Sequence, residues 1–462
     1  MARSLLANAT NPLIGGWGAL LMMMVTGTLD AQQSPQPPAM AAPAASAAPA
    51  AAESPPALNS TEQGRIPMSD SFRSRREQII EERRKAWQET VFTWQLRTFD
   101  MYTINADDSR SAAWAIGGVA GFETGFFRNL FSFGATGYTS QPLYAPSDEG
   151  GTNLLEPNQS GYTALGEAYA QFRLTDTLGL TLGRRGFDTP FISRNDTRMT
   201  PQTFEAAALQ GTAGELEEEG LLRYGAGYVD KEKQVNSEDF VNMAQIAGAS
   251  VDRGVYVAGA NYRTSGWSLG AVEYYSEDII NIAYSEGTYV IPLAEARQVN
   301  LFAQYINQHS TGTEALPGGY FSTDQFGLKA ELASGPALLT AAYTGTARGA
   351  GMRSPWSGYP GYTSVQVQNF NLAGQNAFML RAACDVRQIP GVSVYGLWVR
   401  GSTSEPPTPL TQNEYDGNLE WSPPSPSLQG VMFRVRYAVV TQTNTGRQSQ
   451  LRVMLFYTPP AK

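Results

Sequence analysis

From Val91 to Pro460 the chain alternates apolar and polar residues in about 18 short runs, and the connections between those runs go long, short, long, short. An extended chain points successive side chains to opposite faces, so alternation with a period of two marks a strand with one apolar and one polar face. A transmembrane antiparallel β-barrel has this asymmetry of connections, with loops on one rim and tight turns on the other. A soluble sandwich has no reason to obey it.

The alternation holds strand by strand. In QLRVMLFY, Leu451, Val453, Leu455 and Tyr457 share one face, and Gln450, Arg452, Met454 and Phe456 share the other. In VMFRVRYAV, Phe433, Val435 and Tyr437 stand opposite Arg434 and Arg436. A cationic side chain on the lipid face costs about 2–4 kcal/mol at the bilayer midplane, so the arginine face belongs to the lumen. Val299, Leu301 and Tyr305 oppose Gln298, Asn300 and Gln304 in the same way, as Phe326 and Leu328 oppose Gly327 and Lys329.

With the first strand at Val91, the long connections follow the third, fifth, seventh, eleventh, thirteenth and fifteenth strands. The even connections are brief, for example Asp176 to Thr177, Ser265 to Gly266 and Pro390 to Gly391. An even strand count puts both ends of the barrel on the short-turn side, which for such barrels is the periplasm. The 8 Trp and 22 Tyr suit girdles at the two membrane interfaces. Beyond the amino terminus no stretch is long and apolar enough for a helical span.

The amino-terminal part divides differently. Residues 1–31 hold Arg3, an apolar run from Leu13 to Val25 and small residues before Gln32, which reads as a secretory signal peptide. An uncleaved anchor is the competing reading, disfavoured by the shortness of the run. Residues 32–68 are mostly Ala, Pro, Ser and Gln, a flexible linker composition. Ser69 or Asp70 caps an expected charged, periplasmic helix over 69–90, with Phe72, Ile79 and Trp87 near a seven-residue spacing. Its role is either that of a solvated helix or that of a segment for periplasmic partners or self-association. The barrel channel itself is expected over 91–462.

One cysteine, Cys384, and one histidine, His309, rule out disulfide frameworks and His/Cys metal clusters. No phosphate-binding glycine loop is present. His309 lies beside Gln308 and Ser310 near a strand end, an ordinary polar position, so neither an enzyme nor a cofactor is expected. The net charge of −9 argues against nucleic acid as a partner. Against that acidic background Arg97, Arg434, Arg436 and Arg452 fall on the first, seventeenth and eighteenth strands, neighbours once the barrel closes. They form a basic wall that would attract and pass along anions. Arg185 and Lys329 are further candidates for the substrate pathway. The competing reading is that such lumen cations only pair with acids such as Glu167 and Glu331 and hold the wall rigid.

The stretch NDTRMTPQTF, Asn195 to Phe204, resembles a hallmark segment of the OprD family of substrate-specific outer-membrane channels. So do the upstream GTNLLEPNQSGYTALGEAYAQFRLTDTLGLTLGRR, then VDRGVYVAGANYR, SPWSGYPGYT with FNLAGQNAF, IPGVSVYGLWVRG, NEYDGNLEW, LQGVMFRVRYA and QLRVMLFY, in that order. The resemblance implies an 18-stranded pore narrowed by infolded extracellular loops. It also implies a ladder of basic residues guiding amino acids, small peptides or organic acids that bear a carboxylate. Arg97, Arg434, Arg436 and Arg452 match ladder positions. The loops from Phe191 to Phe204 and from Ala350 to Gln375 match the constricting loops, which makes Asp196, Arg198 and Tyr362 candidates for the narrow region. Two features depart from the family: the pre-barrel helix with its linker, and the ending TPPAK in place of the terminal aromatic that barrel assembly machinery reads.

The expectation is therefore an integral protein of the bacterial outer membrane, in contact with its lipid, that passes small anionic or zwitterionic solutes by diffusion. A general diffusion pore and a structural barrel tethering the membrane to periplasmic partners are the alternatives.

Overall fold

The computed structural model describes residues 80–460, except 217–219, 294–296, 357, 406–408 and 444–445. The expected signal peptide, the linker and the helix before residue 80 lie outside the described residues. Helical turns are present over 80–88 and lead directly into the first strand.

Eighteen strands build the wall. They are β1 (Val91–Ile104), β2 (Arg110–Glu123), β3 (Phe131–Tyr144), β4 (Tyr162–Arg173), β5 (Leu178–Arg185), β6 (Thr203–Ala213), β7 (Leu221–Lys233), β8 (Val255–Arg263) and β9 (Trp267–Ser276). The second half comprises β10 (Ile280–Leu293), β11 (Arg297–Ser310), β12 (Ser322–Ser334), β13 (Ala337–Thr346), β14 (Asn376–Asp385), β15 (Val392–Thr403), β16 (Leu410–Trp421), β17 (Val431–Gln442) and β18 (Gly446–Tyr457). A three-residue strand, Phe240–Asn242, is a loop feature paired to the end of β7. Each wall strand pairs antiparallel with the next, and β1 pairs with β18 from Leu96 opposite Tyr457 to Ile104 opposite Ser449. That last pairing leaves no free sheet edge, the condition for a β structure in hydrocarbon.

Burial follows the period of two. On β1, Gln95, Arg97, Phe99, Met101 and Thr103 are buried in the lumen while Trp94, Leu96 and Ile104 are exposed outward. Exposed aromatics gather at both rims: Phe92, Trp94, Phe131, Trp267 and Trp421 at the short-turn end, and Tyr144, Tyr256, Tyr275, Tyr305 and Tyr343 toward the loop end. Amphipathic rings favour the headgroup level, which fixes the barrel's depth in the bilayer.

The lumen is filled unevenly. Along the β7–β11 side, Tyr274, Ile280, Ile282 and Ile306 of the wall pack against Phe191, Met243, Leu316, Phe321 and Trp356 from four loops. Two of those loops, residues 186–202 after β5 and 347–375 after β13, meet inside the barrel. They cross where the Gly358 N–H donates to the Phe191 carbonyl at 3.3 Å. A Cβ on Gly358 would stand 2.5 Å from the Pro190 carbonyl oxygen, so only glycine allows this approach. Opposite this mass, open space remains along β1–β4.

Candidate functional site

The first infolded loop is anchored by Phe187, Phe191 and Ile192 in the apolar mass and then crosses to β1. There Arg97 grips Asp196 with both terminal nitrogens, Nη1 to Oδ1 at 2.5 Å and Nη2 to Oδ2 at 2.8 Å. Its Nη1 also donates to the Met199 carbonyl at 3.3 Å, its Nε to Gln95, and its guanidinium lies 5.2 Å from the centre of the Phe456 ring. Both terminal nitrogens of this buried cation hold the loop, while its Nε is braced within β1. Arg194, in the same loop, is held by Asp188 at 3.5 Å.

The second infolded loop is stitched to the opposite wall. Tyr359 Oη donates to Gln325 at 2.6 Å, Gln304 Nε2 donates to the Pro360 carbonyl at 2.9 Å, and Tyr362 Oη donates to Glu286 at 2.6 Å. Beneath Tyr362, Lys329 pairs with Glu331 at 3.3 Å and sits 3.9 Å from the Phe302 ring centre. The loop then reaches β16, whose inward face carries Glu414, Asp416 and Glu420 at even spacings. Glu414 accepts from the backbone N–H groups of Val367 at 2.7 Å and Gln368 at 2.8 Å. Asp416 accepts from the Gln366 N–H at 3.2 Å, and the Gln366 carbonyl accepts from Arg452 Nη2 at 3.1 Å. The loop tip thus bridges an acidic row on β16 and Arg452 on β18.

The four clustered arginines divide into two kinds. Arg434 is tied to Glu420, with its Nε at 2.7 Å from that carboxylate, as Arg97 is tied to Asp196. Arg436 and Arg452 are direct cross-strand partners on the lumen face of β17 and β18. Like charges set opposite each other oppose sheet pairing. Among the described residues Arg436 makes no hydrogen bond and closes no ion pair. The hydrogen bonds of Arg452 among the described residues go to neutral groups, Gln450 at 2.7 Å and the Gln366 carbonyl, with the charge of Asp416 nearby. From the first loop, Arg198 adds a third cation; burial first and Arg436 second hold its pKa down, to about 10, so it stays charged at neutral pH. Its position is set by donation to the Thr152 carbonyl at 3.1 Å.

Arg185 stands apart from this cluster, buried over the Tyr169 ring at 4.2 Å with Glu123 at 3.9 Å. Glu167 accepts from the Gly186 N–H at 3.0 Å and holds the loop hinge. Arg381 on β14 went unnoticed in the sequence; it lies over Tyr395 at 4.4 Å and has no ion pair among the described residues. The alternation of Phe378 and Leu380 with Met379 and Arg381 placed it in the lumen all along. His309 sits beside Asn307 at 3.2 Å on the outer face of β11. A cavity of about 700 Å³ opens at the short-turn end and runs up past Glu89, Arg173, Glu167 and Tyr138 to the Arg97–Asp196 clamp.

A family model described as outer membrane porin, OprD family, matches residues 88–460. Among solved structures, Pseudomonas aeruginosa OccK9 (OpdG) superposes with a TM-score of 0.74 at 21% identity, over 81% of this chain and 100% of that one. Acinetobacter baumannii OccAB3 gives 0.72 at 16% identity, over 80% and 99%. P. aeruginosa OpdK, solved with vanillate, gives 0.71 at 18% identity, over 80% and 99%. No curated protein matches the chain.

Proposed function

Because the chain belongs to the OprD family of outer membrane porins, channels for small solutes set in the outer membrane, we propose that its solutes carry a carboxylate and are steered through the constriction by Arg436, Arg452 and Arg198. The observation that carries this reading is the adjacent pair Arg436 and Arg452, kept side by side with no carboxylate of the described residues in hydrogen-bond or ion-pair contact with either, although the charge of Asp416 lies near both. A guanidinium fork matches a carboxylate in two parallel hydrogen bonds. Each such bond is worth about 1.5–3 kcal/mol net, enough to hold a solute briefly and weak enough to release it. Glu414 and Asp416 hold the backbone of 366–368 beside this pair, where Arg436 is half-buried and Arg452 is buried behind it. Vanillate is a small carboxylate, which supports the same class here. Arg381, three strands away on the same inner face, adds a further cation to the path, and we assign the short-turn end to the periplasm. Solutes move down their gradient with no bond made or broken.

Single-channel conductance in planar bilayers tests this, with acetate, glycine and ethylammonium as probes and the double variant Arg436→Gln, Arg452→Gln for comparison. Acetate should interrupt the parent current more than ethylammonium does, and the double variant should lose that difference. Open channels indifferent to probe and variant would make this a general pore. A protein that opens no channel would favour a structural barrel.

A further inference from the structure

The family match begins at residue 88, and the solved relatives are covered almost completely by 80–82% of this chain. The helical turns over 80–88 therefore belong mostly to what this chain adds. They are not detached from the barrel. Ala86 is 1% exposed, packed against the β2–β3 turn (residues 124–130), and its carbonyl accepts from the Gly125 N–H at 3.0 Å. Trp87 meets Phe127 and Phe133 edge-on, with ring centres 5.6 and 5.9 Å away. Glu82 faces Arg128 of the turn at 3.5 Å. Gly125 leaves no room for a side chain: a Cβ there would lie 2.7 Å from Glu89 Cβ and 3.0 Å from the Ala86 carbonyl oxygen. Backbone, aromatic and shape contacts converge on a single docked position.

From that position Glu82, Lys85 and Glu89 line the same cavity whose far end is the Arg97–Asp196 clamp. We propose that the docked helix is a second selectivity element, a charged rim at the short-turn mouth that narrows the solute path and contributes Lys85 and the two glutamates to it. This rests on the reading of the lumen as a solute path. The ion pairs of the helix, Lys85 with Glu89 at 3.8 Å and Glu82 with Arg128, are open to water and weak. Docking is therefore carried by Ala86, Trp87 and Gly125, and the exposed charges remain available to passing ions. A side chain at a pore mouth shifts ion preference through its field over roughly a Debye length, about 10 Å at 0.1 M salt.

Conductance and reversal potential of the full-length barrel, measured in a salt gradient, separate the outcomes. Gly125→Leu and Trp87→Ala each undock the helix by a different contact, and both should raise single-channel conductance, on the order of 1.5-fold or more. Lys85→Glu leaves the docking contacts in place and should move the reversal potential toward cation permeability. Unchanged conductance in both undocked variants overturns the proposal, whatever Lys85→Glu does. If the parent channels keep their response to Arg436→Gln and Arg452→Gln in that case, the carboxylate path stands and only the rim is lost. A parent protein that opens no channel overturns both.

Discussion

Arg97 and Arg434 look interchangeable with Arg436 and Arg452: all four are inward-facing arginines on three adjacent strands. Their surroundings make them opposites. The first two end on carboxylates, Asp196 and Glu420, and are part of the wall's construction. The second two face each other across one strand pairing and end on amides or on nothing. An arginine tied to an acid has neutralised its field and committed its fork. One hydrogen-bonded only to neutral groups, or to none, keeps its fork for a solute. A basic ladder is thus two devices built from the same residue, and the acid partner decides which.

The largest effect should come from breaking a tied arginine. Arg97→Ala leaves Asp196 alone and frees residues 186–202 from β1. Removing one partner of a buried pair costs about 3–5 kcal/mol, and since the Asp196 side chain is 31% exposed the lower end applies. Unfolding of the detergent-solubilised barrel should show that loss, and open-channel noise should rise as the loop moves. A melting curve and noise level equal to the parent's would refute the clamp.

The comparison is sharpest between neighbours on one strand. Arg436→Gln should weaken interruption of the current by acetate by about tenfold, some 1.4 kcal/mol. It should leave stability unchanged or slightly improved, because a like-charge contact with Arg452 is removed. Arg434→Gln should do the reverse, removing the ion-pair partner of the buried Glu420 and lowering stability while the acetate response persists. Equal losses of acetate response in the two variants would show that tied and untied arginines act alike on the solute.

The residues themselves explain why the wall was legible from sequence and the distinction was not. Inward placement of Arg434, Arg436 and Arg452 follows from alternation alone, and the same rule applied to NEYDGNLEW would have found Glu414, Asp416 and Glu420 on one face. Loop partners obey no period. Asp196 reaches Arg97 from 99 positions away, and Gln366 reaches Arg452 from 86. Arg198 and Asp196 are two residues apart, yet one joins the open cationic group and the other closes the clamp. Only the path of the loop across the lumen separates them. Tyr362, in the other loop, binds Glu286 on the far wall and acts as an anchor.

A smaller effect should follow from Glu414→Gln. The carboxylate accepts two backbone N–H groups at the loop tip, and a neutral amide in its place offers one acceptor oxygen and a donor that faces other donors. A loss of about 1–2 kcal/mol in loop attachment is expected. Because the Gln366 carbonyl would drift from Arg452, the acetate response should become heterogeneous from event to event while its mean changes little. A uniform, parent-like distribution of event durations would show that the tip is held by its remaining contacts.

The smallest effect concerns a tied arginine that lies off the solute path. Arg253 pairs with Asp278 at 2.8 Å in the outer loops, and Asp278 also accepts from the Thr313 N–H at 2.9 Å. These contacts, the Thr313 backbone bond first and the Arg253 hydrogen bond second, hold the Asp278 carboxyl below its ordinary pKa. A depressed pKa means that the contribution to loop order is complete above the unfolded value of about 3.9, and is lost as pH falls through the lower folded value. The amide resonance of Thr313 should therefore hold its hydrogen-bonded position from neutral pH down to about 4 and shift only below it. Asp278→Asn should abolish that transition. Since this pair is remote from Arg436 and 39% of the Arg253 side chain is exposed, neither acid nor mutation should alter the acetate response through it. A change there would mean that outer-loop order reaches the constriction, and that tying an arginine to an acid does not by itself remove it from the transport path.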